Sequence, residues 1–291
     1  MRAIDFRVRP PIAGYERASM YAQPERTARM AAAFGYPKPV GALAGASLEA
    51  YEREARESGV AAAVLTGRLG APGVGPADNA ALVAYAEAAP CSSFVFPALD
   101  PSEASWRERL AALRKHRCVR GVVLEPGLLE KPVYPDDASC APVYELCQAE
   151  GLPVMLSAGG NVGPDCSYTS PEHFDRVARD FPRLELIIAH GGYPWIAQTL
   201  HVAFRRANVY VLPDMYLLMP GNEAYVAAMN GYLSERFLFG TSYPFSPIRQ
   251  AIDALLKAAR GDAIVERVLF GNARALLKLR EEEMPCFPDV S

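Results

Sequence analysis

Short apolar runs alternate along the chain with stretches whose apolar positions recur at helical spacing. The runs predict strands over Ala3–Val8, Val60–Thr66, Ser93–Ala98, Val119–Leu124, Pro153–Ser157, Leu184–His190, Asn208–Leu212 and Arg236–Gly240. Several, such as LELIIAH, are almost continuously apolar, which suits strands of a parallel sheet covered on both faces. Between them the pattern predicts helices over Leu48–Glu57, Ala77–Ala89, Ser102–His116, Ser139–Glu150, Pro171–Asp180, Trp195–Arg206, Glu223–Leu233 and Pro247–Ala259. Ser170-Pro171 supplies a helix start, with proline at the first helical position. Gly59 and Gly151 fall just past helix ends, where a left-handed cap favours glycine.

Eight strands alternating with helices predict parallel βαβ units. Right-handed crossovers and the repeat count favour closure into an α/β (β/α)8 TIM barrel over an open doubly wound sheet, and no GxGxxG follows the first strand. With 291 residues the length alone would allow about two domains at roughly 150 residues each, but one barrel accounts for all of it. We therefore expect a single domain over 1–280. Pro10–Ser47, with a short helix near Glu25–Phe34, forms an insertion over the barrel mouth; Ile264–Arg280 adds C-terminal helices, and 281–291 is a solvated tail.

Composition narrows the function classes. The chain is 51% hydrophobic and 22% charged, near the globular average, with a net charge of −3 that offers no footprint for nucleic acid. No apolar run reaches the roughly 18 residues of a membrane span, and MRAIDFRVRPP lacks the apolar core of a secretory signal. The six cysteines, Cys91, Cys118, Cys140, Cys147, Cys166 and Cys286, form no CxxC pair, which predicts reduced thiols in a cytoplasmic protein.

Active sites of such barrels lie where strand C-termini meet the following loops. Those positions hold Asp5, Arg7 and Arg9 on the first strand, Glu125 after the fourth, Ser157 on the fifth and His190 ending the sixth. Asp214 follows the seventh, and Ser242-Tyr243 follow the eighth. Period-two alternation places Asp5, Arg7 and Arg9 on one face. If that face is interior, two guanidiniums enter one cavity, which requires carboxylates or an anionic ligand.

The segments IDFRVRPP, RGVVLEP, GLPVMLSAGG, FPRLELIIAHGGYPW, LFGTSYPF and FGNARALL run in order from Ile4 to Leu277. Together they resemble the amidohydrolase superfamily, specifically the amidohydrolase-2 branch related to aminocarboxymuconate semialdehyde decarboxylase. The resemblance implies a barrel enzyme whose relatives bind a catalytic zinc or similar divalent ion through Asp-x-His-x-His on the first strand, a His on the fifth and an Asp on the eighth. Here the matching positions are Arg7, Arg9, Ser157 and Ser242. A guanidinium has no lone pair to give a metal, and serine is an indifferent zinc ligand. We expect no metal at the usual site. His190 matches a residue that serves as general acid/base in decarboxylase-like relatives.

Two arginines bring about the formal charge of one divalent ion. At about 4 Å and an effective dielectric near 20 each attracts a unit negative charge by roughly 4 kcal/mol before desolvation. They can clamp a carboxylate or polarise a carbonyl, but cannot acidify a bound water as zinc does. The leading expectation is a metal-independent hydrolase or carbon–carbon lyase acting on a small carboxylated or lactone-like molecule. In it Arg7 and Arg9 anchor the anion, His190 moves the proton, and Asp5, Asp214 or Glu125 hold the arginines.

Alternatives stay open at several positions. Arg7 and Arg9 can form an internal salt-bridge lattice instead of binding a ligand. Asp214 can pair with an arginine, orient His190 or cap a helix. Tyr243 can offer its phenol to substrate or simply pack. Ser157 and Ser242 lie in no GxSxG elbow and are expected to fill space and donate hydrogen bonds rather than act as nucleophiles. Cys166 could pair with His190, while His116, His173 and His201 fall on helices as surface or packing residues; GGNVGPD is taken as an ordinary βα loop. Two rival functions remain: a divalent-metal enzyme, zinc or otherwise, with an atypical site drawn from His190, Asp214, Glu125 or Cys166, and a non-catalytic anion-binding barrel. Relatives often form dimers, so a homodimer is expected.

Overall fold

The computed structural model describes residues 2–70, 75–89, 92–160 and 162–283. β1 (Ala3–Val8) pairs in parallel with β2 (Val60–Thr66), and β2 with β3 (Ser92–Phe96). A second parallel set runs β4 (Val122–Leu124), β5 (Val154–Ser157), β6 (Leu186–Ala189) and β7 (Val209–Leu212). Bridges Val95↔Val119 and Ala98↔Val123 join the two sets. The eighth predicted strand, Arg236–Gly240, is only a bridged segment. It bonds β7 at Val211↔Phe237 and β1 through Phe6 N–H to Phe239 O at 2.9 Å, and so closes the barrel. The fold class is the expected (β/α)8 TIM barrel.

The interior is filled by residues from every wall: Ile4, Val64, Phe96, Val123, Met155, Ile187, Leu212 and Leu238, closed at one end by Phe270 and Leu276. A second apolar layer, including Ala63, Leu65, Leu124, Leu156, Ile188 and Val211, packs the sheet against its helices. Burying both faces explains the continuous apolar runs in the sequence. The fourth strand starts at Val122 rather than at Val119, which makes only an isolated bridge to Val95, and Gly121 between them lies under the Phe96 ring, where an added Cβ would overlap the ring.

α1 (Ser19–Ala22) and α2 (Pro24–Ala33) form the insertion after β1. Around the barrel stand α3 (Leu48–Glu57), α4 (Asn79–Ala88), α5 (Trp106–Leu113), α6 (Ala141–Glu150) and α7 (Pro171–Asp180). They continue with α8 (Ile196–Arg205), α9 (Glu223–Met229) and α10 (Ile248–Ala258). The chain ends in α11 (Asp262–Glu266), a π-helical turn at Arg267–Gly271 and α12 (Asn272–Leu276). α5 is shorter than Ser102–His116, but the other predicted helices recur within a few residues. Gly151 ends α6 in the left-handed region at φ 63°, as its placement predicts.

The start of the expected tail is held down. Glu281–Glu283 form a 3-10 turn, with Glu281 paired to Arg2 and Glu283 to Arg120. The remainder of 284–291, including Cys286, lies outside the described residues, as do Cys91 and Asn161 of the GGNVGPD loop. Cys118, Cys140, Cys147 and Cys166 are free thiols. Among the described residues no helix is long and apolar enough to cross a membrane.

Candidate active site

The strand ends surround a cavity of about 360 Å³ lined by Arg7, Arg9, Glu125, Ser157, His190 and Ser242, six of the nine positions expected from sequence. α1 and α2 contribute Met20, Arg26, Thr27 and Met30 to its lining.

Asp5 and Tyr243 fall elsewhere, for one backbone reason each. The β1–β2 register slips between Asp5 and Val8: Asp5 pairs with Ala63, and Val8, three residues on, pairs with Leu65 only two residues on. This extra residue in β1 breaks the alternation, as a bulge does. Arg7 and Arg9 face the cavity, while Asp5 shares the face of Ala63 in the outer layer. Its carboxylate accepts from Thr241 N–H (2.9 Å) and Oγ1–H (2.6 Å) and from the backbone N–H of Arg7 (3.3 Å). Asp5 thus ties β1 to the eighth segment; it neither holds a guanidinium nor lines the cavity. Burial, only partly offset by the Thr241 bonds, pushes its carboxyl up to about 7. Tyr243 follows Ser242, whose φ of +50° turns the chain. Its hydroxyl donates to Glu54 Oε2 at 3.1 Å and its ring packs on Tyr51 at 5.0 Å, so it fastens the barrel to α3 and does not line the cavity.

Arg7 is at the centre of one wall. Its Nη1 donates to Ser242 Oγ and lies 3.3 Å from Asp214 Oδ2, with both ionic side chains almost wholly buried. Asp214 reaches His190 as well, accepting from Nδ1–H at 3.0 Å and from the backbone N–H at 3.2 Å. The alternatives for Asp214 are resolved: it both pairs with the arginine and orients the imidazole, and it makes no side-chain cap bond. Holding Nδ1 on the carboxylate fixes the tautomer and leaves Nε2 as the free ring nitrogen. Tyr216 packs edge-on against this ring at 5.3 Å.

His190, Asp214 and Ser242 all adopt left-handed backbone, at φ 60°, 43° and 50°. Each such residue costs of order 1 kcal/mol or more, and conformations of this kind cluster where geometry serves a site. The turn at His190 matters most. Ile187 and Ala189 face the interior, so simple alternation would send residue 190 outward. Gly159 backs the imidazole so closely that an added Cβ would lie 2.8 Å from His190 Cβ and 2.9 Å from Tyr193 O.

On the opposite wall Glu125 Oε1 accepts from Arg9 Nη2 at 3.1 Å and from Ser157 Oγ at 3.0 Å. Arg68, two residues past β2, approaches Oε2 of the same carboxylate at 3.8 Å. Sequence reasoning passed over Arg68, although the strand-end rule used for the other strands would have reached it.

These contacts set the charge states. Burial opposes ionisation of Glu125, but Arg68, Arg9 and Arg7 hold its pKa below the ordinary value. Burial and then Arg9 pull Arg7 down to about 10, against Asp214, so it stays cationic at neutral pH. Burial lowers His190 below its ordinary value against the pull of Asp214, with Arg7 adding to the lowering. The resting imidazole is therefore neutral and able to accept a proton at Nε2.

The residues at the family's metal seat do not suit an ion. Arg7 fills the space between Ser242 and Asp214, and among the described residues no three His, Cys, Asp or Glu side chains converge as ligands. Cys166 sits in an exposed 3-10 turn away from the cavity lining. His116 pairs with exposed Glu87, His173 with Asp136, and His201 lies beside Phe204; none lines the cavity.

A closed barrel with ionisable groups at its strand C-termini defines an enzyme-like member of the TIM-barrel class. The family model described as amidohydrolase matches residues 14–279, and the chain belongs to that family, in its amidohydrolase-2 branch. An uncharacterized TIM-barrel protein from Bordetella bronchiseptica is 36% identical, over 96% of this chain and 99% of the other, with a TM-score of 0.89. More distant in sequence, 5-carboxyvanillate decarboxylase from Sphingomonas paucimobilis is 15% identical over 96% and 99% of the two chains, with a TM-score of 0.64. A dihydroxybenzoic acid decarboxylase from Polaromonas, solved with manganese and the inhibitor 2-nitroresorcinol, is 18% identical over 98% of each chain, with a TM-score of 0.65. Among curated proteins none matches.

Proposed function

We propose that this chain is a metal-independent enzyme that hydrolyses, or cleaves a carbon–carbon bond in, a small carboxylated or lactone-like molecule. The observation that carries this reading is the chain Arg7–Asp214–His190, in which a buried guanidinium, at a position the resemblance gives to a metal ligand, shares one carboxylate with the proton-transfer group.

Hydrolysis follows most directly from the charge states. Neutral His190 takes a proton from water at Nε2, the oxygen adds to the acyl carbon, and the guanidinium of Arg7 stabilises the oxyanion that forms. Collapse expels the leaving oxygen, which recovers the proton from the imidazolium. Asp214 stabilises that imidazolium and keeps Nδ1 protonated without taking the proton itself. Arg9, held by Glu125, anchors a carboxylate of the same molecule. In a decarboxylation His190 would move a hydroxyl or enol proton to the carbon that bears the carboxylate; the carbon–carbon bond then breaks, CO2 leaves, and the bonding pair returns to the phenolate or enolate, whose negative charge Arg7 bears. A cytoplasmic setting, a homodimer and an anionic small-molecule partner complete the proposal.

The test is turnover of aryl carboxylates and lactones by chelator-treated protein, compared with Arg7→Met and His190→Asn. Activity in the stripped protein that both variants lose supports the reading. Equal turnover by the variants, or none by the native protein across the panel, contradicts it; the latter favours an anion-binding barrel.

A further inference from the structure

The cavity carries more positive charge than the reaction centre uses. Asp214 neutralises Arg7, and His190 is neutral. On the far wall two guanidiniums, Arg9 and Arg68, share the single carboxylate of Glu125. The sharing is unequal: Arg9 makes a hydrogen bond to it, whereas Arg68 Nε stops at 3.8 Å, beyond hydrogen-bond reach. Arg9 Nε and Arg68 Nε are buried donors without a hydrogen-bond partner, and the acceptor Glu125 Oε2, likewise unpartnered, faces Arg68 Nε. Orphaned buried polar atoms are rare enough to require an occupant, and a desolvated excess cation requires a counter-charge. Asp5 cannot supply it, since its carboxylate is committed to Thr241 on the outer face. Among the described residues the buried Arg7 and Arg9 and the largely buried Arg68 are opposed by Asp214 and Glu125, while exposed Arg26, brought to the mouth by α2, adds a solvated positive charge there. One buried positive charge is left over, with a second at the mouth.

We propose that Arg68 is a specificity-determining residue that holds a second, non-reacting carboxylate, and that the natural ligand is a small dianion. One anionic group lies toward Arg7 and Arg9 beside His190, and the other at Arg68 with Arg26 at the mouth. The inference rests on the anion-processing site proposed above and adds a substrate class to it. A single carboxylate toward Arg7 and Arg9 would leave the largely buried Arg68, which only shares Glu125, without a full counter-charge.

Calorimetric titration of the full-length protein with benzoate and with isophthalate tests this. Native protein is expected to bind isophthalate at least tenfold more tightly. Arg68→Gln should erase most of that advantage and change benzoate binding less than twofold; Arg68→Lys should retain part of it. Exposed Arg26→Gln, which leaves the core intact, should weaken isophthalate by a smaller factor. Equal affinity for the two acids in native protein overturns the second subsite, as does an Arg68→Gln effect that is the same for both. Arg7→Met separates this from the reaction-centre reading. If it leaves benzoate binding unchanged, the anion site at Arg7 fails while the Arg68 subsite stands or falls on its own comparison. Absence of binding by either acid overturns both.

Discussion

Asp214 joins Arg7 to His190: one carboxylate oxygen lies 3.3 Å from the guanidinium and the other accepts from the imidazole at 3.0 Å. In the proposed reaction charge stabilisation and proton transfer therefore share a single buried support, and a change at any of the three reaches the other two.

Arg7→Met leaves Asp214 buried and uncompensated, which for a buried pair costs about 3–5 kcal/mol. We expect a clear fall in the denaturant midpoint. Arg7→Met combined with Asp214→Leu should regain much of that stability without regaining activity, because no unpaired charge remains. Unfolding curves for the two variants check this; a double variant no more stable than the single one would show that the ion pair is not what the first substitution disrupts.

Asp214→Asn keeps the shape but removes the charge and one of the two acceptor oxygens that together hold Nδ1, the His190 backbone N–H and Arg7. The kcat should drop by a factor of roughly 10² or more, with KM changed little, since the carboxylate acts through His190 and Arg7 rather than on the ligand. Asp214 raises the His190 pKa against burial, so its removal lowers that pKa further. In native protein the acid limb of kcat/KM should lie below the ordinary histidine value near 6.5, and in Asp214→Asn at lower pH still. A limb that moves upward would place the essential base elsewhere.

Gly159→Ala tests how tightly the imidazole is placed. The added methyl carbon meets His190 Cβ at 2.8 Å and a fixed backbone oxygen at 2.9 Å, so the histidine must move. Displacements of this size cost about 10²-fold in rate for positioned groups, and we expect a fall of more than tenfold with a small change in melting temperature. Native-like kcat in the alanine variant would mean that the ring position is not critical.

Asp5 gives a stability signature opposite in sign to that of the site. Its folded pKa, near 7, exceeds its ordinary 3.8, so between those values the folded protein binds more protons than the unfolded chain. Its contribution therefore falls as pH rises from about 4 to about 7. His190, with a depressed folded pKa, contributes fully above about 6.5 and loses its contribution as pH falls through its folded value. Asp5→Asn can keep both Thr241 contacts without ionising. The native-minus-variant difference in stability should grow less favourable from pH 5 to pH 8, and a flat difference would show that Asp5 ionises normally.

The sequence made the barrel legible because its strands, buried on both faces, read as apolar runs with regular helical spacers. Six site residues came from a single rule about strand ends. Asp5 escaped because a one-residue register slip in β1 is invisible to alternation, and Tyr243 because the left-handed turn at Ser242 redirects the chain toward α3. His190 shows the converse: alternation alone would turn it away from the cavity, and only its positive φ brings it in. Its pairing with Asp214, 24 residues on, depends on two adjacent strand ends that no local pattern describes. Arg68 was within reach of the same rule, and only its place in the cavity lining, sharing Glu125 with Arg9, required the structure.

The central claim, that Arg7 does electrostatically what a metal does in relatives, is tested most directly by kcat/KM of protein stripped with chelator and checked by elemental analysis. The account predicts unchanged turnover at well under one transition-metal ion per ten chains, abolished by Arg7→Met. A stoichiometric metal in untreated protein, with activity lost on stripping and restored by adding zinc or manganese, would contradict it.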